Sequence, residues 1–429
     1  MDLVAACAPF TIALALDVAL GAQSLSPSVA FVARWGGASK DIASAIAIDA
    51  RNGVYVAGNT YSADFPITTG HTANGNWCAF ATKLSSDSGA LVYSTALCTT
   101  AMTYGFAAAL APNGELWVAG STDGKGLPVT EDAAQRTFGG SSSPTGSGDA
   151  ILVRWSADGR RLRYATYFGG ADDERANALL ADDDGGVWMA GTARTRGFLA
   201  HYDARGRLTS STFSTSAIVA MSRADRHRIV TSTVDSLEIF DTTTGAVEPI
   251  LGGGGYRARA IAMTARGRAV VAGERANCPE GHGREDGWLV SRTLWSDVAI
   301  DQCVGGSGVD EIHGLAPAKD GSVWITGLTN SRDFPVTTGG PGRQPDYDTQ
   351  AFIANVDVVT GAIRFARLLG TDSTPRRDIS RGYAVAVGAD GSIFATGETT
   401  GARLLLPTNG AFRQGQIFES TDVYLVKLR

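Results

Sequence analysis

The stretch AIAIDARNGVYVAG, residues 45–58, consists of two alternating apolar runs set around an Asn-Gly pair and closed by Ala-Gly. Alternation at period two puts every second side chain on one face of a strand, and Asn-Gly supplies the tight reversal, so the stretch reads as a β-hairpin. The phrase returns as AAALAPNGELWVAG (107–120), NALLADDDGGVWMAG (177–191), IAMTARGRAVVAG (261–273), GLAPAKDGSVWITG (314–327) and AVAVGADGSIFATG (384–397). A degenerate copy, IVAMSRADRHRIVTS, occupies 218–232. A second pair of alternating runs follows each hairpin, as in CAFATKLSSDSGALVYSTAL (78–97) and AFIANVDVVTGAIRFARLLG (351–370). Two hairpins make a four-stranded antiparallel unit, and Gly36 to Arg429 divides into seven units of about 56 residues. Such a unit has two apolar faces and must stack on neighbours. Radial stacking satisfies both faces, so the expected fold is all-β, a seven-bladed β-propeller with four-stranded antiparallel blades.

The chain ends specify how the ring shuts. The seventh unit stops at TDVYLVKLR (421–429), its third strand. The first unit is preceded by SVAFVARWGG (28–37), which has the form of a fourth strand. The last blade is therefore expected to be closed by the N-terminal strand, with residues 23–429 forming one propeller domain. Composition agrees: 53 glycines and 44% hydrophobic residues suit many short strands, and 19% charged residues is too few for a disordered chain.

Residues 1–22 differ in character. Leu3 to Leu20 is rich in Ala, Leu and Val, and Leu20-Gly21-Ala22 resembles a small-residue cleavage site, so the segment reads as an export signal. It lacks a basic start, and Asp17 and Pro9 interrupt it. Val4-Ala5-Ala6-Cys7 loosely matches a lipobox, which adds a lipid anchor to the expectation of a secreted or cell-surface protein. No later segment is long and apolar enough for a membrane span. The net charge of −6 gives no reason to expect nucleic acid as a partner. Beyond Cys7 there remain Cys78, Cys98, Cys278 and Cys303, which permit three disulfide pairings. Cys78 and Cys98 are equidistant from Ser88 at a hairpin centre, and Cys278 and Cys303 hold the similar places in blade five. Two in-blade bridges are the preferred pairing.

GGASKDIASAIAIDARNGVYVAGNTYSADFPITTG and GGSGVDEIHGLAPAKDGSVWITGLTNSRDFPVTTGG, together with the FATKL–LVYSTAL hairpin, resemble the bacterial SBBP repeat, a β-propeller repeat family. The likeness is sharpest in blades one and six, where Asp64-Phe65-Pro66 and Asp333-Phe334-Pro335 stand in full, and blades three to five lack that element. The resemblance implies a propeller at a bacterial surface or outside the cell. It carries no catalytic residues with it.

Chemistry-bearing motifs are sparse. The pairs Asn52-Gly53, Asn113-Gly114, Asp320-Gly321 and Asp390-Gly391 fit turn positions that need a positive φ. Asp182-Asp183-Asp184-Gly185-Gly186 lacks the spaced ligands and terminal Glu of a calcium loop. The repeated aromatic position (Tyr55, Trp117, Trp188, Trp324, Phe394) suits packing between blades. His71, His201, His227, His282 and His313 show no zinc spacing, and neither a nucleophile elbow nor a nucleotide loop occurs. No cofactor, metal or catalytic set is expected.

The loops leading into the innermost strands carry Asp41, Ser44, Glu174, Asn177, Arg257, Arg259, Asp310, His313, Asp378 and Arg381, which should ring the channel mouth as a ligand site. The second-to-third strand connections are long in blades six, seven, one and two and nearly absent in three and four. They are expected to wall one side of the mouth and leave the other open. The expected function is a monomeric, non-enzymatic binding or adhesion module with a protein or glycan partner. A hydrolase or lyase using Asp41, Glu174, Asp310 and His313 is one alternative, and a structural surface component is the other.

Overall fold

The computed structural model describes residues 27–70, 73–141, 148–252, 255–278, 283, 285–295, 298–337, 349–369, 379–400, 412–414 and 420–429. The segment 1–22 set apart by the sequence lies outside these. Every described element is a strand, and the strands form seven blades. Blades one to six each run in chain order across four antiparallel strands. Their innermost strands are Asp41–Ile48, Thr103–Leu110, Glu174–Ala181, Ile218–Arg223, Tyr256–Met263 and Asp310–Pro317. Their outermost are Leu91–Leu97, Leu162–Phe168, Leu208–Ser214, Val247–Gly252, Val298–Val304 and Ile363–Leu368.

Blade seven runs Ser380–Val387, Ile393–Thr399, Asp422–Leu428 and then Val29–Trp35. The N-terminal strand is the fourth strand of the last blade, in register Phe31↔Lys427, Ala33↔Leu425 and Trp35↔Val423. A nearly dry ion pair, Arg34 Nε to Asp422 Oδ2 at 2.7 Å, fixes its end. Blade seven also has a fifth element that the alternating pattern did not reveal: Phe412–Gln414 pairs in parallel with Ala33–Trp35.

Adjacent blades pack through their recurrent aromatics. Tyr55, Trp117 and Phe394 are essentially inaccessible, and Trp188 and Trp324 are buried. Trp188 of blade three meets Phe240 of blade four edge-on at 5.5 Å between ring centroids, and Trp117 of blade two donates its Nε1–H to Gly185 O of blade three at 3.2 Å. Both disulfides form as preferred, Cys78–Cys98 and Cys278–Cys303.

Much of the expected wall, including 338–348, 401–411 and 415–419, lies outside the described residues. The described parts of the long connections run down the outside of the blades. In blade one the Thr68 amide donates to Ser94 O at 2.9 Å, and the Ser94 amide donates to Thr68 Oγ1 at 2.8 Å. The same two-point clamp joins Thr130 to Ala165 in blade two at 3.2 and 3.3 Å. It joins Thr337 to Ala366 in blade six at 3.0 and 2.8 Å. The reason is the sheet edge: an outermost strand presents unpaired N–H and C=O groups, and a strap of the chain's own backbone satisfies them. Phe65 and Phe334 anchor two of the straps, buried 4.8 and 4.7 Å from Phe80 and Phe352.

Candidate functional site

Each innermost strand carries one extra residue. The pairing with the second strand slips between Ala43 and Ala45, Gly105 and Ala107, Ala176 and Ala178, Ile218 and Ala220, Ala258 and Ala260, Ile312 and Gly314, and Gly382 and Ala384. A β-bulge re-aims the side chain of its unpaired residue. Those residues are Ser44, Phe106, Asn177, Val219, Arg259, His313 and Tyr383, and all seven line one pocket of about 630 Å³ at the channel mouth. In six blades the glycine that closes the hairpin makes the bulge fit, while blade four has Thr233 at that place. A Cβ on Gly58 would stand 2.0 Å from Ile42 O, and one on Gly327 1.8 Å from Glu311 O.

The bulge residues are tied from blade to blade. Asn177 Nδ2 donates to Ile218 O at 2.9 Å, joining blade three to four. Arg259 pairs with Glu274 on its own blade and reaches Glu311 of blade six at 3.0 Å. His313 bonds Glu311 at 2.8 Å and Gly382 O at 3.0 Å, and it stacks on Tyr383 with ring centroids 5.3 Å apart. Asn59, one strand out, spans Ser44 Oγ and the backbone of Gly105.

Of the expected mouth residues, Ser44, Asn177, Arg257, Arg259 and His313 line this pocket. Arg381 stands beside it, paired to Glu398 across its hairpin. Asp378 lies outside the described residues. Asp41, Glu174 and Asp310 are placed elsewhere: they are buried in the joints where one blade hands over to the next. Asp41 accepts from the Gly37 amide at 2.7 Å and Ser62 Oγ at 2.9 Å, and Asp310 repeats this with Gly306 and Ser331 at 2.9 and 2.6 Å. Glu174 accepts from the Gly170 amide at 3.0 Å. Burial pushes Asp41 and Glu174 up to about 7 and raises Asp310 as well. The aspartates of the Asp-Phe-Pro element serve the same joint, Asp64 accepting from the Ala38 amide and Asp333 from the Ser307 amide.

Several mouth residues escaped the sequence reading: Phe106, Val219, Tyr383, Arg175, Glu274 and Glu398. A signal existed. Six of the seven bulge residues precede the hairpin-closing glycine by 14 residues, Val219 of blade four being the exception, and Glu274 and Glu398 directly follow that glycine. Four arginines, 175, 257, 259 and 381, stand at the mouth against Glu274, Glu311 and Glu398. Arg257, Arg259 and Arg381 have carboxylate partners. Arg175 has none among the described residues, and its guanidinium lies 3.8 Å over the Phe106 ring. A row of aromatics leads from there to the outer rim: Phe106 stacks on Tyr104 at 5.8 Å, Tyr104 meets Trp77 at 5.8 Å, and Trp77 meets the exposed Tyr61 at 5.5 Å.

Asp182, from the acidic hairpin turn of blade three, is held by His201 at 2.7 Å and by Arg223. Cys278, Asp286 and Cys303 form the one cluster of metal-type ligands among the described residues, and the disulfide engages both of its sulfurs.

No curated protein sequence matches the chain. Among solved structures it is similar to the WD40 repeats of RRP9, with a TM-score of 0.56 at 10% identity over 94% of this chain and 99% of that one. It is also similar to U3-55K, with a TM-score of 0.57 at 11% identity over 93% and 99%. Likeness at such identity concerns the fold alone. At the level of sequence, residues 31–66, which run from the clasp strand through the first two strands of blade one to the Asp-Phe-Pro element, match the SBBP family, described as a beta-propeller repeat.

Proposed function

We propose that this protein is an exported, non-enzymatic binding module whose channel mouth takes a glycan carrying negative charge. The observation that carries the reading is the juxtaposition of Arg175, free of any described carboxylate, with the aromatic row Phe106, Tyr104, Trp77 and Tyr61. The C–H faces of a sugar ring are apolar enough to pack on aromatic faces, and an acidic substituent suits an uncompensated guanidinium. Ser44, Asn59 and Asn177 add short polar side chains that match hydroxyl groups. The pocket volume of about 630 Å³ falls in the usual range for a ligand cleft. Of the residues a hydrolytic role would use, Asp41, Glu174 and Asp310 are committed to glycine amides in the blade joints. His313 is engaged on both ring nitrogens, by Glu311 and Gly382 O, and Glu311 also pairs with Arg259. Export rests on the character of residues 1–22, and cell fractionation tests it.

The binding test is titration of the purified protein with acidic and matched neutral oligosaccharides. Arg175→Gln should weaken the acidic ligand about tenfold or more while leaving the neutral one unchanged. Trp77→Ala should weaken both. Equal affinity for acidic and neutral sugars, or binding indifferent to both substitutions, would overturn the reading.

A further inference from the structure

We infer that the outer edge of blade three, Leu208–Ser214, is a docking site for an extended segment of another protein, laid on by the same threonine clamp that this chain uses on itself. The edges of blades one, two, six and seven are covered from within, three by Thr68, Thr130 and Thr337 and the fourth by Phe412–Gln414. Blade three has only Arg194 and Thr195 between its second and third strands and blade four only Val234 and Asp235, so neither has chain for a strap. An edge left bare invites pairing unless something blunts it. Blade four is blunted by Glu248 and Pro249 within its outer strand. Blade five carries Asp301, which accepts from Trp288 Nε1, and the Cys278–Cys303 bridge ties its loop to the edge. The blade-three strand reads LTSSTFS, with neither charge nor proline. Among the described residues it is the one edge without strap, bridge, charge or proline.

The register identifies the receiving residue. Ser94, Ala165 and Ala366, which the three threonines clamp, pair with Thr82, Val153 and Ala354 at the fifth position of their third strands. The fifth residue of the third strand in blade three is Ala200, and it pairs with Ser211. Pairs at this position turn both backbone groups of the outer residue away from the blade. Ser211 is exposed, and no described group bonds to it. A groove of about 360 Å³ runs beside it, bordered by Leu208, Phe213 and Tyr202 and on the far side by Gln135 of the blade-two strap.

The internal straps also define the occupant. Each clamping threonine follows a proline and an aliphatic residue: Pro66-Ile67-Thr68, Pro128-Val129-Thr130, Pro335-Val336-Thr337. Proline holds the segment extended and donates no competing N–H, and the threonine supplies both halves of the clamp. In blade three the place of the strap phenylalanine is already filled, because Phe168 stands 4.6 Å from Phe198 with the tilt seen for Phe65 on Phe80. The occupant is therefore an extended Pro–aliphatic–Thr segment without an aromatic anchor, like the strap of blade two.

The test uses the intact protein and the capped peptide GLPVTEDAAQ, the sequence of residues 126–135. Binding should slow amide exchange at Ser211 at least tenfold at saturation. Replacing the peptide's threonine by valine should cost about tenfold in affinity. So should Ser211→Pro, an edge position with an outward N–H where proline is tolerated. The peptide analogue keeps the test independent of how that variant folds. No binding, binding without protection of Ser211, or affinity blind to the threonine would overturn the assignment. So would a dimer of the protein alone that Ser211→Pro dissolves, which would give the edge to a second copy of this chain.

Discussion

Two kinds of residue do unusual work here. The first is the hairpin-closing glycine, whose missing side chain lets the bulged strand approach. Gly327→Ala would drive a methyl group into the Glu311 carbonyl at 1.8 Å, and the neighbour is backbone, which yields poorly. The expected cost is about 1–3 kcal/mol, read as a lowered urea midpoint at unchanged slope. The second is the joint carboxylate. Asp41 is held up to about 7 by burial, so the folded chain keeps a proton that the unfolded chain releases near 3.8. Between about pH 4 and 7 the folded state binds more protons, so Asp41 lowers stability as pH rises through that window, with no further change above it. Asp41→Asn removes this share. Relative to the native chain, the variant should gain melting temperature between pH 5 and pH 8, and an unchanged gap between the two would refute the assignment. Sequence alone could not place Asp41 and Asp310. A carboxylate four residues past Gly-Gly reads as a solvated loop residue, whereas the Gly37 amide folds back onto Asp41 and the Gly306 amide onto Asp310.

At the scale of elements, the hairpins and both disulfides were legible because period-two alternation and symmetric cysteine spacing are local signals. The straps were not. Their segments have no alternation, and the bonds from the Ser94 amide to the Thr68 hydroxyl and from the Ala366 amide to the Thr337 hydroxyl link residues 26 and 29 apart in sequence. The bulge lies between these cases. It adds one residue to an otherwise regular strand, so counting back from Gly58 or Gly397 finds Ser44 or Tyr383, whereas simple alternation misassigns their faces. The clamp predicts its own energetics. Thr68→Val deletes the acceptor of the Ser94 amide and should cost about 1 kcal/mol in urea unfolding. Thr69→Val, whose hydroxyl makes no described bond, should cost close to nothing. Equal effects at the two positions would mean that the strap is held by its apolar contacts and not by the clamp.

For the whole molecule, closure is what turns seven marginal sheets into one domain-sized structure. Each blade buries its faces against two neighbours, so an open ring would expose two terminal faces at once. The strand Val29–Trp35 prevents this by pairing with Asp422–Leu428, and it was legible because an orphan strand before the first blade answers a missing one in the last. Its grip is strong: Phe31, Val32, Ala33 and Trp35 are buried, Arg34 is paired to Asp422, and Ser28 and Arg429 exchange backbone bonds at 2.7 and 2.9 Å. A chain beginning at residue 38 should therefore lose much of its thermal stability while keeping the other six blades' sequences intact. The loss should be reversible in trans. Adding a peptide of residues 27–37 should raise the melting temperature progressively with its concentration, as for any ligand that binds only the folded state. A peptide with Trp35→Ala and Phe31→Ala should fail to do so, because most of the apolar surface it buries would be gone. A truncated chain that melts like the full one would show that blade seven holds on three strands, and that the ring is shut by blade-to-blade packing without the clasp.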